Sequence, residues 1–154
     1  MARILIVGCG CRGQALANAL SDEGHAVRGT TRDAARATEL AAAGIEAVVA
    51  DPDRLVTMMP AIDGVSVVCW LMGTADAPAL HGPRLESMLE HIVDTPARGL
   101  VYETGGLERP EGIAAAERLS ATYAMPVDVV TDTPEPHDQW LTAMVAAVAK
   151  VLSA

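Results

Sequence analysis

The sequence predicts a doubly wound α/β fold: about six parallel strands in the order 3-2-1-4-5-6, with helices on both faces in three α/β/α layers. Three observations carry this prediction. Short apolar, β-branched runs alternate with helix-period segments along the whole chain, the first run ends in a glycine-rich turn, and no linker, repeat or low-complexity tract interrupts the alternation. Strands joined by helices require right-handed crossovers, which makes the sheet parallel and puts its ligand crevice beyond the C-terminal ends of the strands.

Arg3 to Val7 is a β-branched run that ends at Gly8, as expected of a strand buried on both faces. In the helix that follows, Ala15, Leu16, Ala19 and Leu20 share a face and Gly24 is the stop. Ala26 to Thr31 reads as the second strand, and Asp33 caps a helix running to Ala43, with Gly44 as its terminator. Glu46 to Ala50 is the third strand. Asp53 is expected to cap a brief helix into Met59, and Gly64 ends the turn before the strand Val65 to Leu71.

Met72 to Gly82, rich in Gly, Ala, Pro and Asp, reads as a loop, and Pro83 opens a helix through Val93. Leu100 to Glu103 is the fifth strand, Gly105 to Pro110 a second long loop, and Glu111 to Tyr123 a helix. Val127 to Thr131 is the sixth strand, and Gln139 to Leu152 a closing amphipathic helix. Functional residues are therefore expected in the loops after Val7, Thr31, Ala50, Leu71, Glu103 and Thr131.

Composition narrows the function. The 154 residues suit one compact domain, with no room expected for a separate substrate domain of ordinary size. Half of them are hydrophobic (51%) and 20% are charged, which excludes disorder, while the absence of Phe makes the core aliphatic. A net charge of −9 and four scattered aromatic residues, Trp70, Tyr102, Tyr123 and Trp140, argue against nucleic acid as a partner. No apolar run approaches the ~20 residues of a membrane span, and Met1 to Val7 is too short for a signal h-region, so a cytoplasmic location is expected. Three cysteines without an export signal are expected to be reduced thiols.

The segment from Val7 to Gly13 carries Gly-x-Gly-x-x-Gly between a strand and a helix. Gly8 permits the tight turn, Gly10 lets the backbone approach a pyrophosphate, and Gly13 lets the helix pack closely on the strand. The exposed N–H groups of the helix start, helped by the helix dipole, meet the anion. Dinucleotide binding is the expectation. NAD binders usually place an Asp or Glu at the end of the second strand to accept hydrogen bonds from the ribose 2′-OH, but this chain has Thr30-Thr31-Arg32 there. Arg32 can pair with a 2′-phosphate, and Arg12 is expected to approach the same phosphate from the other side, so NADP is favoured with NAD kept as the alternative.

At these residues the sequence resembles the atypical and extended short-chain dehydrogenase/reductase relatives, including NmrA-like and sugar-nucleotide epimerase-like proteins. The resemblance rests on Ile4 to Gly13, on Gly29-Thr30-Thr31-Arg32-Asp33 and on Val49-Ala50-Asp51, and covers the Rossmann nucleotide-binding core. It implies that Asp51 contacts the adenine, a role that coexists with a cap ahead of Pro52, and that Leu71, Met72 and Gly73 line the nicotinamide-ribose region. It also implies a catalytic Tyr with a Lys four residues later on the helix after the fifth strand, the Lys lowering the phenol pKa. That dyad is missing. The only lysine is Lys150, preceded four residues earlier by Ala146, and 105–120 contains no Tyr. Thr104 stands where the family often has a substrate-binding hydroxyl, either as a remnant of that site or as a strand-end residue, and Glu103 adjoins it.

Other constellations are weaker. Cys9 and Cys11 face a pyrophosphate turn without a second Cys pair, so no metal is expected. Cys11, at a helix start beside Arg12, is expected to be a low-pKa, redox-sensitive thiol. His81 caps a loop or touches ligand, and His137 caps the last helix or touches substrate. His25 and His91 read as surface residues, and Trp140 packs the last helix down or marks an oligomer contact. The sequence thus points to an NAD(P)-binding fold serving either a divergent small oxidoreductase without the Tyr–Lys dyad, or a non-catalytic NADP(H)-sensing or accessory subunit acting through a homo-oligomer or another protein partner.

Overall fold

A computed structural model describes residues 2–73 and 77–154. Its elements are β1 (Arg3–Val7), α1 (Cys11–Asp22), β2 (Ala26–Thr31), α2 (Ala34–Ala42), β3 (Glu46–Val49), α3 (Leu55–Ile62), β4 (Val67–Trp70), α4 (Pro83–Ile92), β5 (Gly99–Glu103), α5 (Pro110–Tyr123), β6 (Val127–Val130) and α6 (His137–Ser153). The sheet is six-stranded and all parallel in the order β3-β2-β1-β4-β5-β6. This is the predicted Rossmann-like doubly wound order, with the chain reversing direction of growth between β1 and β4.

Alternation along the strands divides the core in two. Ile4 and Ile6 of β1 pack with Leu16 of α1 and with Trp140 and Met144 of α6 on one face. Leu5 and Val7 pack with Met58, Leu85 and Leu119 of α3, α4 and α5 on the other. Both faces of the sheet are covered, which is why its strands are nearly continuous apolar runs. Asp33 caps α2 as expected, accepting from the Ala35 N–H at 2.9 Å.

The third helix departs from expectation. It starts at Leu55 with Arg54 at the N-cap, and runs through Pro60 to Ile62 instead of stopping at Met59. The Asp53 carboxylate goes to Arg84 instead, at 2.9 Å. What extends the helix is Arg28, a buried cation in the middle of β2. Its Nη1 donates to the carbonyls of Ala61 and Asp63, each at 2.7 Å, and its Nε faces Glu46 at 3.1 Å. A guanidinium satisfying the orphan carbonyls of a helix end supplies the termination that the residues around Met59 do not. The loop expected over 72–82 also holds a 3-10 turn at Pro78–His81. Leu80 is buried there and its carbonyl accepts from the Trp70 indole at 2.9 Å, the partner that a buried Trp requires. Among the described residues no helix is long and apolar enough to cross a membrane.

Candidate nucleotide-binding site

The glycine turn is fastened to the second strand before it can meet any ligand. The Gly8 N–H donates to the Thr30 hydroxyl at 3.1 Å, and the Cys9 N–H to the Thr30 carbonyl at 2.9 Å. Gly8 has φ +83°, and a Cβ there would fall 2.5 Å from Met72 Sδ and 2.9 Å from the Leu71 carbonyl oxygen, so only glycine fits. Cys9 turns inward and fills the space that two other glycines leave: a Cβ on Gly29 would lie 2.9 Å, and one on Gly13 3.2 Å, from its Sγ. Burial pushes the Cys9 thiol up to about 11, so it behaves as a small apolar side chain. Cys11 is exposed at the first position of α1, so the two thiols face different surroundings. No cluster of three or more metal-ligating side chains occurs among the described residues.

A cleft of about 270 Å³ opens in front of this turn. Its walls are Gly8 and Gly10, then Thr31 and Arg32 at the end of β2, Ala50 and Pro52 after β3, and Leu71 and Met72 after β4. Six residues proposed from the sequence, Gly8, Gly10, Thr31, Arg32, Leu71 and Met72, therefore meet at one cavity. Gly13 is buried behind them, in the first turn of α1. Asp51 is flanked by two wall residues, but its carboxylate accepts from the Asp53 N–H at 2.9 Å, and its backbone is bound by Thr57. It shapes the turn after β3.

Two placements were not foreseen. Arg36, in the first turn of α2, lines the cleft beside Arg32, with its guanidinium held by Glu39 at 2.9 Å and by Gln14 at 3.4 Å. The signal was its position one helical turn past the strand end, which brings it back over the crevice. Arg12, by contrast, does not join Arg32. Its guanidinium pairs with Glu103 and lies 5.0 Å from the centre of the Trp140 ring. The expectation that Arg12 reaches toward a 2′-phosphate is corrected by the sheet order: β5, which carries Glu103, lies across β1 and β4 from β2. The pull is electrostatic. Glu103 is wholly buried, accepting from the Trp140 indole at 2.9 Å and the Gly73 N–H at 3.2 Å, and a buried carboxylate demands a cation.

His81, expected to cap a loop or touch ligand, and Tyr102 of β5 are both buried. The His81 Nε2 lies 2.7 Å from the Met72 carbonyl, which only accepts, so Nε2 carries the proton and Nδ1 receives the Tyr102 hydroxyl at 2.5 Å. The pair thus anchors the loop after β4 that walls the cleft. Burial holds His81 below its ordinary 6.5, with Arg109 adding to the effect against the Met72 carbonyl and Glu103, and pushes the Tyr102 phenol up to about 12. Because the folded state favours neutral His81, its stabilisation is complete above the unfolded pKa and fades as pH falls below about 6.5 toward the lower folded value. His81→Gln should therefore be less stable than wild type at pH 7, with the difference in Tm narrowing by pH 5. A gap that stays constant in thermal melts would contradict this.

Thr104 is buried and its hydroxyl has no partner among the described residues. Lys150 pairs with Asp128 at 3.4 Å beside the start of β6, at the sheet end opposite the crevice. His137 opens α6 and stacks against Trp140 with ring centres 5.9 Å apart.

A parallel doubly wound sheet with a glycine turn on its first strand and a cleft over the strand ends defines a nucleotide-binding α/β protein. More specifically, the chain belongs to the NAD(P)H-binding family, whose model matches residues 8–104, from the glycine turn to the end of β5. No curated protein matches it. Solved structures share its fold. A short-chain dehydrogenase/reductase superfamily protein from Agrobacterium tumefaciens with bound NAD superposes with a TM-score of 0.63 at 22% identity, covering 82% of this chain and 48% of that one. Triphenylmethane reductase of Citrobacter sp., complexed with NADP(H), gives 0.66 at 17%, covering 82% and 48%. UDP-glucose 4-epimerase of Thermotoga maritima gives 0.65 at 15%, covering 82% and 54%. The chain spans about half the length of each. These neighbours are the reductase and epimerase types that the sequence resembles.

Proposed function

We propose that these 154 residues form one NADP(H)-binding unit that holds the cofactor by its adenosine end and acts as a reader of the cofactor pool, or as an accessory subunit for a protein partner. The observation that carries this reading is the pair of guanidinium groups, Arg32 and Arg36, on the wall of the cleft at the end of β2. An acidic residue there accepts from the 2′-OH of NAD, whereas two arginines suit the dianionic 2′-phosphate of NADP. The neighbours include one protein titled with NAD and one with NADP(H), so the choice rests on this chain's own side chains.

The residues present fit the group. A Cβ on Gly10 would meet nothing within 4 Å, so the backbone before α1 stands open to a pyrophosphate. Gly8, Cys11 and Gly13 shape that turn, Thr31 and Arg32 would hold the ribose phosphate, and Asp51, Leu71 and Met72 would border the adenine and nicotinamide-ribose sides. The bound cofactor supplies hydride chemistry, but the Tyr–Lys proton relay has no counterpart, because the sole lysine lies at the other end of the sheet. A divergent oxidoreductase is a second reading, favoured by His81 on the wall of a separate cavity of about 230 Å³ shared with Arg109 and Glu111.

Incubation of the chain with NADPH and a panel of aldehydes and ketones separates the two. The binding reading expects no NADPH consumption above background. Turnover of any carbonyl that is lost in His81→Gln would favour the oxidoreductase.

A further inference from the structure

A dinucleotide crevice has two mononucleotide halves that meet where the strand order reverses, here between β1 and β4. The open cleft belongs to the first half, since its walls come from the ends of β1, β2, β3 and β4. Over the end of β5 the packing is different. Glu103 and Trp140 are wholly buried and Thr104 is 1% exposed. Arg12 reaches from the glycine turn to Glu103 and covers the Trp140 ring. The loop after β4 is drawn onto the same spot: the Gly73 N–H bonds Glu103, and the Gly73 carbonyl accepts from Arg109 at 2.8 Å. A Cβ on Gly73 would fall 2.7 Å from the Gly105 Cα, so the loops after β4 and β5 touch backbone to backbone.

We propose that Arg12, Glu103 and Trp140 decide which half of a dinucleotide the crevice holds: the adenosine 2′,5′-phosphate portion binds the open half, and the nicotinamide riboside half enters only when Arg12 leaves Glu103. The inference rests on the NADP(H) reading above. Arg12 is the second residue of α1, so the nicotinamide-side phosphate of a pyrophosphate at that helix start, which adenosine 2′,5′-bisphosphate lacks, competes with Glu103 for its guanidinium. Released, Glu103 keeps the Trp140 and Gly73 N–H donors but loses its cation, a cost that the anion's hold on Arg12 must offset. Affinity then resides in the adenosine end, and the nicotinamide end adds little until the ion pair is weakened.

Titration of wild type and Glu103→Gln with adenosine 2′,5′-bisphosphate and with NADP+ tests this. In wild type the two ligands are expected to bind within about threefold of one another. In Glu103→Gln, which loses the charge but keeps the side-chain shape, NADP+ is expected to tighten by about tenfold, the loss of one charge-assisted contact, with the bisphosphate unchanged. NADP+ binding more than tenfold tighter than the bisphosphate in wild type, or equal changes for both ligands in the variant, overturns the proposal. Failure of the bisphosphate to bind at all overturns the cofactor reading itself. Should Glu103→Gln not fold, 19F spectra of wild type carrying 5-fluorotryptophan give the same answer, because the chain has only two tryptophans. The Trp140 resonance should shift with saturating NADP+ and not with the bisphosphate, while Trp70, bonded to Leu80 in the opposite core layer, serves as the internal reference. A Trp140 signal that NADP+ leaves in place contradicts the proposal.

Discussion

Gly10→Ala is expected to fold with a stability within about 1 kcal/mol of wild type and to lose NADP(H) affinity by at least tenfold, about 1.4 kcal/mol. Gly10 has φ −86° and ψ −152°, an extended conformation open to any residue. The new methyl group touches nothing in the protein itself. It projects into the mouth of the turn, where a pyrophosphate must approach the backbone, so the whole effect falls on the ligand. Gly8→Ala is the contrasting substitution: with φ +83° and a carbonyl 2.9 Å from the new atom, it damages the fold and says nothing specific about binding. Thermal melts paired with calorimetric titration separate the two outcomes. Undiminished affinity in a folded Gly10→Ala protein would remove the phosphate from this turn.

Arg32→Ala combined with Arg36→Ala is expected to weaken NADPH by about 100-fold and to change NADH by less than about threefold. Hydrogen bonds to charged groups contribute about 1.5–3 kcal/mol each, and some of that is lost to screening at two partly exposed side chains. Arg32 is the more exposed of the two, whereas Arg36 is steadied by Glu39 and Gln14. The double variant removes both before one can compensate for the other. Titration of both cofactors against wild type and variant reads the difference, and equal weakening of NADPH and NADH would place the arginines away from the 2′ position.

The strand order and nearly every element were legible because a two-sided parallel sheet writes itself as apolar runs separated by helix periods, and because Asp33 marks its helix start locally. The third helix was misread for the opposite reason. Its end is capped by Arg28 from β2, a contact that no window around Met59 contains. The cleft was legible where one short segment builds it, as with Gly8, Gly10, Thr31 and Arg32. It was not legible where distant segments decide the outcome. Arg12 looks in sequence like a phosphate ligand, and only the burial of Glu103, ninety-one residues away, turns it toward β5. Nor does the sequence around Cys9 show that its side chain fills the space left by Gly13 and by Gly29 of the second strand. Tyr102 and His81 meet only because β5 brings the phenol under the 3-10 turn.

The crevice beside Arg32 and Arg36 is expected to take a dinucleotide carrying a 2′-phosphate. Isothermal titration of the wild-type chain with NADPH and NADH tests it most directly. NADPH is expected to bind at least tenfold more tightly, about 1.4 kcal/mol. Equal affinities, or tighter binding of NADH, would contradict it.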